Sequence, residues 1–140
     1  MRLCVWMIAA FTLSLSNFLV LAAEPTHVVY EGSGGIGAGK HIVFIASDHE
    51  YRGEESLPAL ARILAKHYGF KCTVIFGTDP KTGFLLPGSS DLHGLSVLKD
   101  ADLMVIFMRF INMPDDEMQH FVDYVDRGGE ALLRHVITIV

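Results

Sequence analysis

After Lys40 the sequence alternates between short, uninterrupted apolar runs and longer amphipathic segments. Three of the runs are rich in β-branched and aromatic residues, at positions 41–47, 70–77 and 103–108. Runs of this kind are typical of strands that are covered on both faces of a sheet. Because helical segments separate them, the connections are expected to be right-handed crossovers between parallel strands. The pattern therefore predicts an α/β fold with a doubly wound parallel sheet.

Two segments between the runs have helical spacing. The first has Lys66 and His67 in its last turn and ends at Gly69. Its first residue is uncertain, because Pro58 should lie near the first turn of a helix. The second begins after Pro114 with three carboxylates, as a helix N-terminus favours, and ends before Gly128. Residues 95–100 predict at most a short helix, and residues 131–140 a possible fourth strand. The apolar positions expected to face the core are Leu57, Leu60, Ala61, Leu64 and Tyr68 in the first helix, and Met118, Phe121, Val122 and Val125 in the second.

The N-terminal region has the composition of an export signal. Residues 3–21 carry no charge, follow Arg2 and lead to Ala22 and Ala23, which are the small residues of a cleavage site. A stop-transfer helix would need a longer apolar run, whereas Ser14, Ser16 and Asn17 interrupt this one and Glu24 and Pro25 end it, so such a helix is disfavoured. We expect a signal peptide over 1–23, a Gly-rich linker over 24–39, a domain over 40–140, and a secreted or periplasmic protein without a stable membrane span.

The net charge and the cysteine content argue against two functions, nucleic-acid binding and cysteine-based catalysis. Removal of residues 1–23 takes away Arg2, which leaves 10 basic against 16 acidic residues and a net charge of −6. An acidic protein without a basic cluster is a poor nucleic-acid binder. Cys72 is then the remaining cysteine, and its strand alternation with Phe70, Val74 and Phe76 predicts a buried, inert thiol.

The glycine-rich stretch contains two motif-like matches that carry no function. Gly32–Gly37 spells a dinucleotide fingerprint, but it precedes a strand, whereas the fingerprint must follow a strand and open a helix. Residues 34–40 nearly spell a phosphate loop, but His41 stands where a Ser or Thr would bind magnesium. No cofactor can be named from the sequence.

Ligands of doubly wound sheets bind beyond the carboxyl ends of the strands. The first predicted strand delivers the polar loop 48–55 there, and the third delivers the loop 109–112. In the functional hypothesis the two loops form one site, in which His49 or Glu50 moves a proton and the other members bind substrate. The predicted catalytic residues are His49 and Glu50, and the predicted substrate-binding residues are Asp48, Tyr51, Arg52 and Arg109.

A structural explanation exists for each of these residues alone. Glu54 and Glu55 suit a helix N-terminus, Arg52 and Arg109 can pair with nearby acids, and His49 can be solvated. Metal binding is disfavoured because consecutive residues on an extended chain point in alternating directions. The loop over residues 79–94 is either a flexible excursion or part of the site's rim.

A wider pattern supports a family resemblance. Its residues are Gly39–Ala46, Asp48, Glu50–Arg52, Glu54, Glu55, Leu57–Ala61, His67–Val74, Asp79–Gly83, Ala101–Val105, Arg109, Phe110, His120–Val125 and Arg127–Gly129. Over 41–129 the chain resembles the ThuA-like (trehalose-utilisation) domains of the class I glutamine amidotransferase-like superfamily, particularly exported bacterial versions. The resemblance implies a flavodoxin-like fold, export and an association with sugar catabolism.

The C-terminal residues depart from that pattern. Family members continue past the double glycine into a strand and a further polar loop, whereas residues 130–140 are unlike this continuation. The catalytic cysteine and histidine of the amidotransferases have no counterpart, so glutaminase activity is not expected. We expect an incomplete sheet of about four strands, with a truncation or frameshift after Gly129. The functional alternatives are an enzyme of sugar metabolism, a non-catalytic sugar-binding module and an inactive fragment.

Overall fold

The computed structural model describes residues 27–133, and within them it contains a five-stranded sheet with helices on both faces. The predicted signal peptide and residues 134–140 lie outside the described residues. In chain order the elements are β1 (His27–Tyr30), β2 (His41–Ser47), α1 (Gly53–Ile63), a π-helical turn (Leu64–Tyr68), β3 (Lys71–Phe76), a 3₁₀ helix (Leu95–Asp100), β4 (Leu103–Met108), α2 (Asp115–Asp126) and β5 (Glu130–Leu133).

The strands lie in the order β1-β3-β2-β4-β5. Strands β2 to β5 are parallel, and β1 runs antiparallel to β3. The predicted α/β fold is therefore confirmed, although the sheet is mixed rather than wholly parallel. Counted among themselves, the four parallel strands have the order 2-1-3-4, which is consistent with a flavodoxin-like arrangement.

The main difference from the sequence prediction is β1, which lies in the segment assigned to a linker. Its four residues pair with β3, from His27 opposite Ile75 to Tyr30 opposite Cys72. Val28 and Val29 are both partly exposed, as expected on an edge strand. A four-residue run with no alternation carries too little pattern to be recognised, and its contacts with the rest of the sheet stabilise it.

Two apolar clusters fill the two faces of the sheet. On the first, which we call the α1 face, α1 packs through Leu57 and Ala61 on residues that include Phe44 and Val74. On the second, the α2 face, the 3₁₀ helix and α2 cover residues that include Ile45 and Met104. Because helices cover both faces, the prediction of a doubly wound sheet holds for the described residues.

The helices begin near their predicted positions but differ in detail. Helix α1 starts at Gly53 and contains Pro58 within it, rather than in its first turn. In α2 the predicted buried stripe is partly wrong, because Val122 and Val125 are 39% and 48% exposed while Tyr124 is 1% exposed. The Tyr124 hydroxyl donates to the Glu130 carbonyl oxygen at 2.5 Å, which gives this polar atom a partner inside the core.

Candidate functional site

The two polar loops chosen from the sequence lie side by side. Strands β2 and β4 are parallel neighbours, and Ser47 pairs with Met108 at their carboxyl ends. The loops that follow therefore leave the sheet at the same edge. Since Asp48 and Arg109 each come directly after a strand, the sheet register itself brings these two residues together.

Asp48 shapes the first loop from inside. Its side chain is almost completely buried, and Oδ1 accepts hydrogen bonds from the backbone amides of Glu50 and Tyr51, at 2.7 and 3.1 Å. This is the Asx-turn geometry that lets an aspartate bend a loop locally. Its second oxygen, Oδ2, is buried without a hydrogen-bond partner among the described residues. A buried carboxylate oxygen of this kind is costly, and such atoms concentrate at functional sites.

Arg109 contacts several of the polar and aromatic residues of the two loops, and we call this group the Arg109 cluster. Its Nη2 lies 2.5 Å from Glu50 Oε1, and its side chain is 19% exposed. The hydrogen bond and charge of Glu50 raise the pKa of Arg109 above its ordinary value. The guanidinium carbon also lies 5.9 Å from the ring centroid of Tyr51 and 5.3 Å from that of Phe110. Two aromatic rings and one carboxylate thus hold this cation in place.

Phe110 is a site residue that the sequence prediction did not select. It has φ of +56°, in the left-handed region that non-glycine residues rarely adopt, and it is 58% exposed. Arg52, at the start of α1, has φ of +52°. Strained residues of this kind cluster at functional sites. The only sequence signal was an aromatic residue just after a strand end, which is too common to be diagnostic.

His49, in the loop after β2, lies beside the long loop over residues 79–94. Its Nε2 is 3.9 Å from Glu50 Oε1, and its side chain is 46% exposed. A Cβ added to Gly88 would be 2.8 Å from the His49 Cβ, so the backbone of Gly88 lies against the His49 side chain. Ser47 Oγ also donates to the Ser89 carbonyl oxygen at 2.7 Å. The long loop is therefore part of the rim of this site.

Arg52 has a different environment from the other predicted residues. Its guanidinium pairs with Glu55 on the first turn of α1, and it is largely exposed. This is the structural role that the sequence allowed for it. The residues that the structure brings together around Arg109 are accordingly His49, Glu50, Tyr51 and Phe110.

Several other kinds of site are not found in the described part of the chain. Residues 27–133 contain no group of three His, Cys, Asp or Glu side chains placed to hold a metal ion. No helix within the same residues is both long and apolar enough to cross a membrane. Cys72 is buried in β3, as predicted, and burial raises the pKa of its thiol to about 11.

A cavity lies at the opposite end of the sheet, away from this cluster. It has a volume of about 550 Å³ and is lined in part by Lys40, Asp102 and Arg127. Lys40 Nζ is 2.8 Å from Asp102 Oδ1. Arg127 donates to the carbonyl oxygens of Leu98, Lys99 and Ala101 at the end of the 3₁₀ helix. These charged groups join elements of the fold, so we do not assign a ligand to this cavity.

Comparison of the chain with models of protein families, with curated proteins and with solved structures gave no match. The relationship to ThuA-like domains accordingly rests on the sequence pattern alone.

Proposed function

We propose that this chain is an exported ThuA-like domain linked to carbohydrate utilisation, and that the loops 48–55 and 109–112 bind an uncharged sugar. The observation that carries the proposal is the position of Arg109, 5.9 and 5.3 Å from the ring centroids of Tyr51 and Phe110 and beside the Glu50 carboxylate. Exposed aromatic rings offer apolar faces to a sugar ring, while a guanidinium and carboxylates offer donors and acceptors to its hydroxyl groups.

The charges near the site favour an uncharged ligand. Both arginines of the two loops already face carboxylates, Arg109 facing Glu50 and Arg52 facing Glu55. A phosphate or carboxylate group would bring a further negative charge to an acidic loop in which each arginine already faces a carboxylate. A neutral polyhydroxylated ligand can instead share the existing donors and acceptors.

Two versions of this function differ in whether the sugar is chemically changed. In the enzymatic version His49 and Glu50 move a proton, which their separation of 3.9 Å and the partial exposure of His49 would permit. In the other version the same residues only bind. Glutaminase activity belongs to neither, because Cys72, the single cysteine of the described residues, is buried inside a strand.

The first experiment measures binding by the purified chain 24–140. Calorimetry with a panel of neutral sugars, including glucose, galactose and trehalose, is expected to detect at least one ligand. Arg109→Ala should weaken that binding by roughly tenfold or more, because it removes hydrogen bonds from a charged donor. Arg62→Ala, which changes an exposed arginine at the end of α1, is the matched control and should bind normally.

Failure of every sugar to bind, or equal binding by Arg109→Ala, would contradict the proposal. Product analysis with the best ligand then separates the two versions. If wild type converts the sugar and His49→Gln or Glu50→Gln binds it without conversion, the site is catalytic. If wild type binds without conversion under the same conditions, the chain is a binding module.

A further inference from the structure

A second, apolar cavity lies directly beside the polar site. It has a volume of about 420 Å³, within the range of ligand pockets in proteins. Its lining comes from the loop after β2, from α1 and from the two strands β4 and β5. The residues are Tyr51, Ser56, Leu57, Leu60, Val105, Phe107 and Leu132.

This cavity and the polar site have one residue in common. Tyr51 lines it and also lies against the Arg109 guanidinium. The Tyr51 ring packs edge-on against Phe107, with 6.4 Å between ring centroids. A ligand bound beside Arg109 would therefore meet an apolar wall on the α1 side.

The cavity exists because α1 does not extend across the whole α1 face of the sheet. Helix α1 packs mainly on β1, β2 and β3. On the β4–β5 side, Val105 and Phe107 are buried at the cavity floor, while Leu60 and Leu132 are 42% and 59% exposed at its edges. Two large apolar side chains thus face an open space next to polar loops, an arrangement typical of binding sites.

We infer that this cavity binds the apolar group of a glycoside whose sugar occupies the polar site, so that the preferred ligand is an amphiphilic glycoside rather than a free sugar. The inference rests on the proposed function. Tyr51, shared by both halves, supports it, as does the lining, in which apolar side chains greatly outnumber polar ones. A second sugar ring would leave its hydroxyl groups without partners there.

The test compares matched ligands that differ only in the apolar group. Calorimetry measures the dissociation constants of methyl and phenyl glycosides of the same sugars for the chain 24–140. Wild type should bind a phenyl glycoside about tenfold more tightly than its methyl counterpart, the order expected for burying a ring-sized apolar group. Leu60→Ser should bring that ratio close to one while leaving methyl glycoside binding unchanged.

The matched control lies one turn away on the same helix. Ile63 is 49% exposed and does not line the cavity, so Ile63→Ser should keep the wild-type ratio. A wild-type ratio near one, or a ratio that Leu60→Ser leaves unchanged, would overturn the inference. A phenyl preference that is absent from wild type and arises only after truncation before residue 134 would also overturn it, because it would place the chain's own C-terminal segment in the cavity.

A change of monomer–dimer equilibrium in Leu60→Ser, with the affinity ratio unaltered, would also overturn the inference in favour of a second copy of the chain. A different result would contradict the proposed function itself. In that case neither glycoside binds, or Arg109→Ala binds both as wild type does. If both glycosides bind equally and Arg109→Ala abolishes their binding, only the apolar subsite is disproved.

Discussion

Asp48 and Glu50 lie in the same loop but have different structural roles, because one is buried and the other is partly exposed. Asp48 is almost fully buried and organises the loop through two backbone amides. Glu50, two residues later, is about half exposed and holds Arg109. Residue type and spacing alone did not separate these tasks, because both carboxylates follow the same strand. Only the direction in which each side chain leaves the loop decides which becomes structural.

Cys72 is predicted to react with thiol reagents only after unfolding. Its side chain is fully buried, and burial raises the pKa of the thiol to about 11, so the reactive thiolate is rare at neutral pH. In the chain 24–140, a chromogenic disulfide reagent at pH 8 should label no thiol in buffer and one in denaturant. Rapid labelling of the native protein would show that β3 is more open than described.

His41 is expected to make the fold less stable in mild acid. Its ring is half-buried and lies 2.8 Å from Thr73 Oγ1, and burial, followed by the charge of Lys71, lowers its pKa below the usual 6.5. The unfolded chain therefore takes up a proton that the folded chain resists. The stability associated with neutral His41 is present above pH 6.5 and is lost as the pH falls below it.

The measurement is urea unfolding of wild type and His41→Gln at pH 8 and pH 5.5. The glutamine variant should lose less free energy of unfolding between the two pH values than wild type loses. Other titrating groups are common to both proteins and cancel in the comparison. An equal loss in the two proteins would contradict the assignment to His41.

At the scale of elements, close backbone contacts help to hold the glycine-rich segment after β1. Gly69 ends the π-helical turn with φ of +82°, and a Cβ there would be 1.8 Å from the Gly34 carbonyl oxygen. The Gly37 amide also donates to the Tyr68 carbonyl oxygen at 2.8 Å. The segment that looked like a linker therefore packs on the end of the first helical region.

Gly69→Ala should destabilise the protein by more than Gly83→Ala does. Both glycines have positive φ, so both alanine variants carry backbone strain of about 1 kcal/mol. Gly83 has open space around its Cα, whereas Gly69 would also displace the backbone near Gly34. We expect an additional loss on the order of 2 kcal/mol from this steric overlap. Chemical denaturation of the two variants measures the difference, and equal losses would show that the segment does not pack there.

At the scale of the whole molecule, two apolar clusters lie on opposite faces of one sheet, and the strands of that sheet contribute side chains to both. Phe44 belongs to the α1 face and its neighbour Ile45 to the α2 face, so each central strand contributes to both clusters. Loss of packing on one face would disturb the strands that form the other. This coupling predicts that the two faces lose their packing together.

The chain 24–140 is accordingly expected to unfold in one cooperative transition. Backbone structure followed by far-ultraviolet circular dichroism, and tyrosine packing followed in the near ultraviolet, should give the same midpoint. Tyr124, buried on the α2 face, contributes to the second signal, and the only tryptophan, Trp6, is absent from this chain. Separate midpoints, or no transition, would favour the fragment.

Much of the architecture was predictable because each major element has a strong local pattern. Continuous apolar runs predicted β2, β3 and β4, and helical spacing with a proline start predicted α2. The proximity of the loops after β2 and β4 followed from the rule that parallel sheets bind ligands at their carboxyl ends. By contrast, β1 has four residues and no pattern of its own, and the buried position of Tyr124 depends on how α2 is rotated against the sheet.

By itself the sequence determined the α/β class, the order of the main elements and the two loops that carry polar residues. These properties depend on hydrophobic periodicity and on helix and turn signals, which act over a few neighbouring residues. Only the tertiary structure decided that Arg109 lies near the Tyr51 ring, that β1 joins the sheet, and that a cavity opens beside Tyr51. Each of these features brings together residues far apart in the chain, and no local pattern encodes such distances.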